Sequence, residues 1–145
     1  MRSPTLWYRI AAIAYAIFTF GHTAGAASGA IRGPEEEAVL KQLGAYTFDV
    51  MGATRSHLDF YEGLGWLLSL NLMLLTVLCW QLGALHRANR LWAMRLGAAV
   101  CLATFGIAWL SWRDFFIAPA MLSTAAALAL VVAVARGLAE EAVAG

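Results

Sequence analysis

The sequence predicts an all-α, polytopic membrane protein, a bundle of four transmembrane helices forming one membrane domain over residues 1–145. Three observations lead there. Hydrophobic residues make up 61% of the chain and charged residues 13%, with a mean hydropathy of +0.69; soluble domains run at roughly 45–50% apolar and about 25% charged. A chain of 145 residues cannot hide that much apolar surface in its own core, because small folds leave much of their area outside. Finally, four stretches supply the ~20 mostly apolar residues that a helix needs to cross hydrocarbon, and at that length only helices satisfy their backbone polar groups. A soluble enzyme and a disordered regulator are therefore excluded. Ten basic against nine acidic residues leave no positive surplus for nucleic acid.

The first span covers about Thr5–Gly29. Arg2, Arg9, the run Ile10–Phe20 and the small residues Ala24-Gly25-Ala26 also fit a cleaved signal peptide, but His22 interrupts the apolar run just before that cleavage position, so the segment is read as a retained span. The segment Ala30–Leu58 follows outside the membrane. Gly33-Pro34 and Glu35-Glu36-Glu37 mark a helix start, with proline in the first turn and acids at the positive dipole end. Ala38, Val39, Leu40 and Leu43 continue a short amphipathic helix on the outer surface, and Gly44 can stop it. Tyr46–Val50 alternates apolar and polar residues and reads as extended. Ser56-His57-Leu58-Asp59 fits a capping box. The whole segment is expected to form a lid.

The second span covers about Asp59–Leu85, the third Leu91–Trp112 and the fourth Ile117–Arg136. Gly21, Gly25 and Gly29 on the first span, and Ala125, Ala129, Ala133 and Gly137 on the fourth, are small-residue ladders of the kind that let membrane helices approach closely; they serve either packing within the bundle or a homo-oligomer. Cys79 and Cys101 lie in apolar runs without CxxC or metal spacing and read as packing residues. Thr19-Phe20-Gly21 matches Thr104-Phe105-Gly106, and Asp59-Phe60-Tyr61 matches Asp114-Phe115-Phe116, as in a duplicated hairpin or a coincidence of common membrane residues.

Charge sets the orientation. With both termini cytoplasmic, Arg2, Arg9, Arg87, Arg90, Arg95 and Arg136 are inside, against Arg32, Lys41, Arg55 and Arg113 outside, as the positive-inside rule requires. The short loop His86–Arg95 holds three arginines and no acid. Trp7, Tyr8, Trp80 and Trp92 form an inner aromatic belt and Trp112, Phe115 and Phe116 an outer one.

Ionisable residues inside spans are costly and mark functional sites by default. They gather near the outer end: His22, Asp59, Glu62 and Arg113-Asp114, approached by Asp49, Arg55 and His57, with the polar Asn71 near the middle of the second span. Arg55, Asp59, Glu62, Trp66 and Ser69 recur at helical spacing and share one face if the first turn of that helix extends back to Arg55. Glu62 is expected at the depth of His22 and Arg113, where a carboxylate beside a histidine is the material of a general acid–base pair. His22, Glu62 and Asp59 are the catalytic candidates; Asp49, Arg55, Trp66, Asn71, Trp109, Trp112 and Arg113 are the candidate ligand-binding residues. No metal site is expected, and the cofactor is open. Plainer roles compete: Asp59 as a cap, Arg113-Asp114 at the water boundary, His57 exposed, Asn71 as interhelical hydrogen-bonding glue, and His86 as part of the basic inner loop.

The strings Phe20-Gly21-His22-Thr23-Ala24-Gly25, Phe48-Asp49-Val50-Met51-Gly52, and Ser56 with Asp59-Phe60-Tyr61-Glu62-Gly63-Leu64-Gly65 resemble a family of small bacterial four-helix inner-membrane proteins without an assigned activity. The resemblance spans the first two helices and their connection. It implies a four-helix bundle in a bacterial inner membrane and points to His22, Asp49, Arg55, Asp59 and Glu62. At the level of fold alone the chain is similar to the DoxX-like group.

Three functions follow as expectations. One is an outward-facing pocket that binds, and acts by proton transfer on, a lipophilic molecule such as a quinone, isoprenoid or lipid. Another is an accessory or scaffold subunit of a larger membrane complex or homo-oligomer. The third is a haem-binding electron carrier with His22 and His57 as axial ligands.

Overall fold

Proline, serine and asparagine punctuate the chain where its helices begin. The computed structural model describes residues 3–144; Arg2, counted above among the inner basic residues, lies outside them. The elements run α1 (Pro4–Ser28), α2 (Pro34–Ala45), β1 (Thr47–Val50), β2 (Ala53–Ser56), α3 (His57–Ala88), α4 (Arg90–Asp114) and α5 (Ile117–Ala144). Proline opens α1 and α2, at positions where its missing N–H costs no helical hydrogen bond. Asn89 caps α4, its side-chain oxygen accepting from the Trp92 N–H at 3.2 Å. Four helices, α1, α3, α4 and α5 through Ala142, are long and apolar enough to cross a membrane.

The spans differ from expectation mainly at one end. The fourth was expected to stop near Arg136, but α5 continues to Ala144. Gly137 does not end it because it serves as a packing notch. A side chain there would meet Met94 Cγ at 2.8 Å.

The extended segment pairs with a strand that the sequence did not announce. β1 and β2 form an antiparallel hairpin in the register Thr47↔Ser56, Phe48↔Arg55, Asp49↔Thr54 and Val50↔Ala53. Met51 and Gly52 turn it with φ of 49° and 85°, the two positive angles that a two-residue type I′ connection needs.

The chain divides into two compact units, Met1–Thr19 with Leu72–Gly145, and Phe20–Asn71. In the first, tyrosines of α1 anchor on α4. Tyr8 donates to the Ala93 carbonyl at 3.1 Å and Tyr15 to Thr104 Oγ1 at 2.8 Å. Thr104 Oγ1 donates its own hydrogen bond to the Val100 carbonyl at 2.7 Å, so each buried hydroxyl there has a partner, as a dry interior demands. Gly97 makes room for the Tyr8 ring, and Gly83 lets α3 approach the Thr5 carbonyl, 3.2 Å from where a Cβ would stand. On α5, Ala129, Ala133 and Gly137 are buried and pack inside the chain, whereas Ala125 at the start of that ladder is exposed.

In the second unit α2 buries no residue, although Gly44 rests 3.4 Å from Leu58 by the same Cβ measure. An aromatic group ties the hairpin to α3. Tyr46 stacks on His57 with centroids 5.7 Å apart, and Phe48 stacks on Phe60 at 5.8 Å. Gly21 and Gly25 have nothing within 4 Å of a would-be Cβ, so the α1 ladder is not packed against within residues 20–71.

Candidate functional site

His22 lies on α1 among apolar residues, part-buried, and reaches α3. Its Nδ1 is 3.0 Å from Ser69 Oγ. Ser69 is buried, so the contact fixes the ring and leaves Nε2 without a hydrogen bond within residues 20–71. A neutral imidazole held by one nitrogen can donate or accept with the other.

Glu62 sits on the same face of α3, seven residues toward the hairpin, which is about 10 Å along the axis at 1.5 Å per residue. The two groups expected as an acid–base pair therefore stand at different depths. Glu62 is exposed and has no hydrogen-bonding or ion-pair partner within residues 20–71. The physical reason is helix stagger: spacing places residues on a face, whereas the level at which another helix meets that face comes from tertiary packing.

Asp59 is committed to the start of α3. Its Oδ2 accepts from the Ser56 backbone N–H at 2.7 Å and from Ser56 Oγ at 2.9 Å. The Asp59 N–H in turn donates to Ser56 Oγ at 3.1 Å, the reciprocal geometry of a capping box. Asp49 Oδ1 accepts from the Thr54 hydroxyl at 2.6 Å, locking the hairpin across its strands. Arg55 donates through Nη1 to the Thr54 carbonyl at 2.7 Å. Trp66 is half-exposed on α3.

Asn71 donates to the Leu67 carbonyl of its own helix at 2.9 Å, so the interhelical role expected of it is replaced by a local bond. On α4, Arg113 forms a bidentate pair with Asp114, Nε–Oδ1 at 2.9 Å and Nη2–Oδ2 at 2.8 Å. Both side chains are exposed, where such a pair contributes little. Trp112 Nε1 donates to Thr124 Oγ1 at 3.0 Å, and Trp109 is exposed.

Two expectations about histidine are corrected. His57 stacks in the hairpin's aromatic group, twelve residues from Ser69, about 18 Å along α3. His22, level with Ser69, cannot share one iron with it, so the haem reading has no ligand pair there. His86, expected in the basic inner loop, is instead 5% exposed within α3. Its Nε2 lies 3.3 Å from Glu140 Oε2 of α5, and its ring lies 6.3 Å from that of Tyr8. Nδ1 is buried without a partner. The missed signal is the periodicity Cys79, Leu82, Gly83, His86, all buried, which puts the imidazole on the inward face.

Among the described residues no group of three or more His, Cys, Asp or Glu is placed to hold a metal. No family model, curated protein or solved structure matches this chain.

Proposed function

We propose that this is a four-helix bundle of a bacterial inner membrane, both termini cytoplasmic, whose extracytoplasmic half binds a lipophilic small molecule. The topology follows from the arginine bias and the aromatic belts, and the bacterial setting from the resemblance noted above. The observation that carries the binding reading is the His22–Ser69 contact. A span has little reason to keep an imidazole unless something uses it, and this one is oriented by Ser69 with a second nitrogen to spare.

A quinone, isoprenoid alcohol or lipid presents an apolar body and a carbonyl or hydroxyl head. Trp66 offers the body an apolar wall and His22 offers the head a hydrogen bond. If a proton moves, His22 is the group placed to move it, and Glu62 stands two turns nearer the outer water. Asp59 is occupied as a cap.

Organic extraction of the gently purified protein, followed by mass spectrometry, tests this. A stoichiometric lipophilic molecule is expected, with retention falling about tenfold in His22→Leu, the loss of roughly one hydrogen bond. No retained molecule, together with unchanged behaviour of His22→Leu and Glu62→Gln, overturns it.

A second reading is favoured by the α1 ladder, which nothing in its own unit packs against. Gly21 and Gly25 are open and Phe20 beside them is 78% exposed, while most of the α5 ladder is consumed internally. A helix from another subunit, or from a second copy, would fit such a ladder. Native electrophoresis of mildly solubilised membranes decides it: a larger species supports assembly and a lone monomer ends it.

A further inference from the structure

An open, mainly apolar groove of about 530 Å³ lies between α3 and α4, walled by Leu78, Leu85 and Ala88 on one side and Leu96, Ala99 and Val100 on the other, with Gln81 the one polar side chain in its lining. It belongs wholly to the first unit and is independent of His22. On α3 it runs from Leu78 to Ala88, ten residues or about 15 Å, while the α4 wall from Leu96 to Val100 covers about 6 Å. The longer wall is half of the ~30 Å hydrocarbon core. A helix crossing the whole membrane would need a groove twice as long, whereas one leaflet's acyl chain fits this depth.

The groove ends at the turn joining α3 to α4, and the turn is basic. Arg87 follows Ala84 of the groove by three residues, Arg90 opens α4, and Arg95 precedes Ala99 by four. All three are exposed. Among the described residues Arg87 and Arg90 have no acidic partner, and Arg95 lies 5.7 Å over the Trp92 ring. The acid at this end that reaches α3 is Glu140, and it is taken by His86. A one-leaflet apolar seat capped by three cations is complementary to a molecule with a hydrocarbon tail and an anionic head.

We propose that this groove binds an anionic phospholipid, its acyl chain along α3 and α4 and its phosphate among Arg87, Arg90 and Arg95. The proposal rests on the membrane reading and not on any ligand at His22. Diffuse attraction of surface arginines for anionic lipid needs no groove, so the test separates the two.

Full-length protein is reconstituted into phosphatidylcholine vesicles containing phosphatidylglycerol as the minor component. After mild extraction, the phospholipid retained is read by native mass spectrometry. The native chain is expected to enrich phosphatidylglycerol about tenfold over its share in the vesicle, since each arginine near an anionic surface contributes. R87Q/R90Q/R95Q should lose the enrichment and R87K/R90K/R95K should keep most of it. Ala99→Phe, at an exposed position inside the groove, should lose it with all arginines present, and Leu96→Trp should do the same. Retention in vesicle proportion by the native chain overturns the proposal. So does full enrichment in both groove-filling variants, which would leave only surface charge.

Discussion

A few side chains decide where this chain is tight and where it is open. Gly97 lies against Tyr8, whose Cε1 would stand 3.0 Å from an added Cβ, while Gly21 would meet nothing within 4 Å. Gly97→Ala must therefore displace the Tyr8 ring and its hydrogen bond to Ala93, at a cost of about 1–3 kcal/mol. Gly21→Ala should leave the monomer unharmed or firmer by up to ~1 kcal/mol, because alanine is the better helix former. Reversible unfolding of the two variants in the same detergent checks this. Equal losses would mean that α1 is packed alike along its length. His22 and His86 belong to this scale too. Both were visible as residues, but only their neighbours, Ser69 and Glu140, show what they do. For His86 the face periodicity was available and was outweighed by three nearby arginines. For His22 the partner depends on how two helices are staggered, which one helix's spacing does not encode.

Elements were legible in proportion to how many residues sum to the signal. Four spans of 25 or more residues stand out because hydropathy accumulates over each of them. The capping box was legible from four residues because Ser56 and Asp59 have a specific local chemistry. Strand β2, Ala53–Ser56, was not, since it carries no apolar alternation and its turn uses Met51 where asparagine is favoured. Asp59 supplies the test at this level. Asp59→Ala should destabilise the start of α3 by about 1 kcal/mol, seen as faster amide exchange over the first turns. Asp59→Asn, which keeps an acceptor oxygen, should lose less. If both lose ligand retention while exchange is unchanged, Asp59 acts in binding and the cap is incidental.

Across the whole molecule the chain covers little of its own apolar surface. In α3 only 17% of the most apolar stretch is buried, and even in α5 the share is 44%. In water that much uncovered apolar area would drive aggregation; in lipid it is the surface a span must present. The same fact explains why fold class was readable from composition while function was not. Composition reports the solvent, and a binding site depends on which few polar groups meet at one depth. Residues 20–71 carry the hairpin, the capped start of α3 and His22; the other unit carries the basic turn and its groove.

The proposed extracytoplasmic pocket requires the hairpin and the basic turn to face opposite sides of a membrane. The direct measurement is thiol labelling in intact cells with a membrane-impermeant reagent, in a chain whose buried Cys79 and Cys101 are replaced by serine. A cysteine at Met51, the fully exposed hairpin tip, should label in intact cells. A cysteine at Ala88, the last residue of α3 beside the basic turn, should label only after the membrane is opened. Labelling of both positions from the same side would contradict the account.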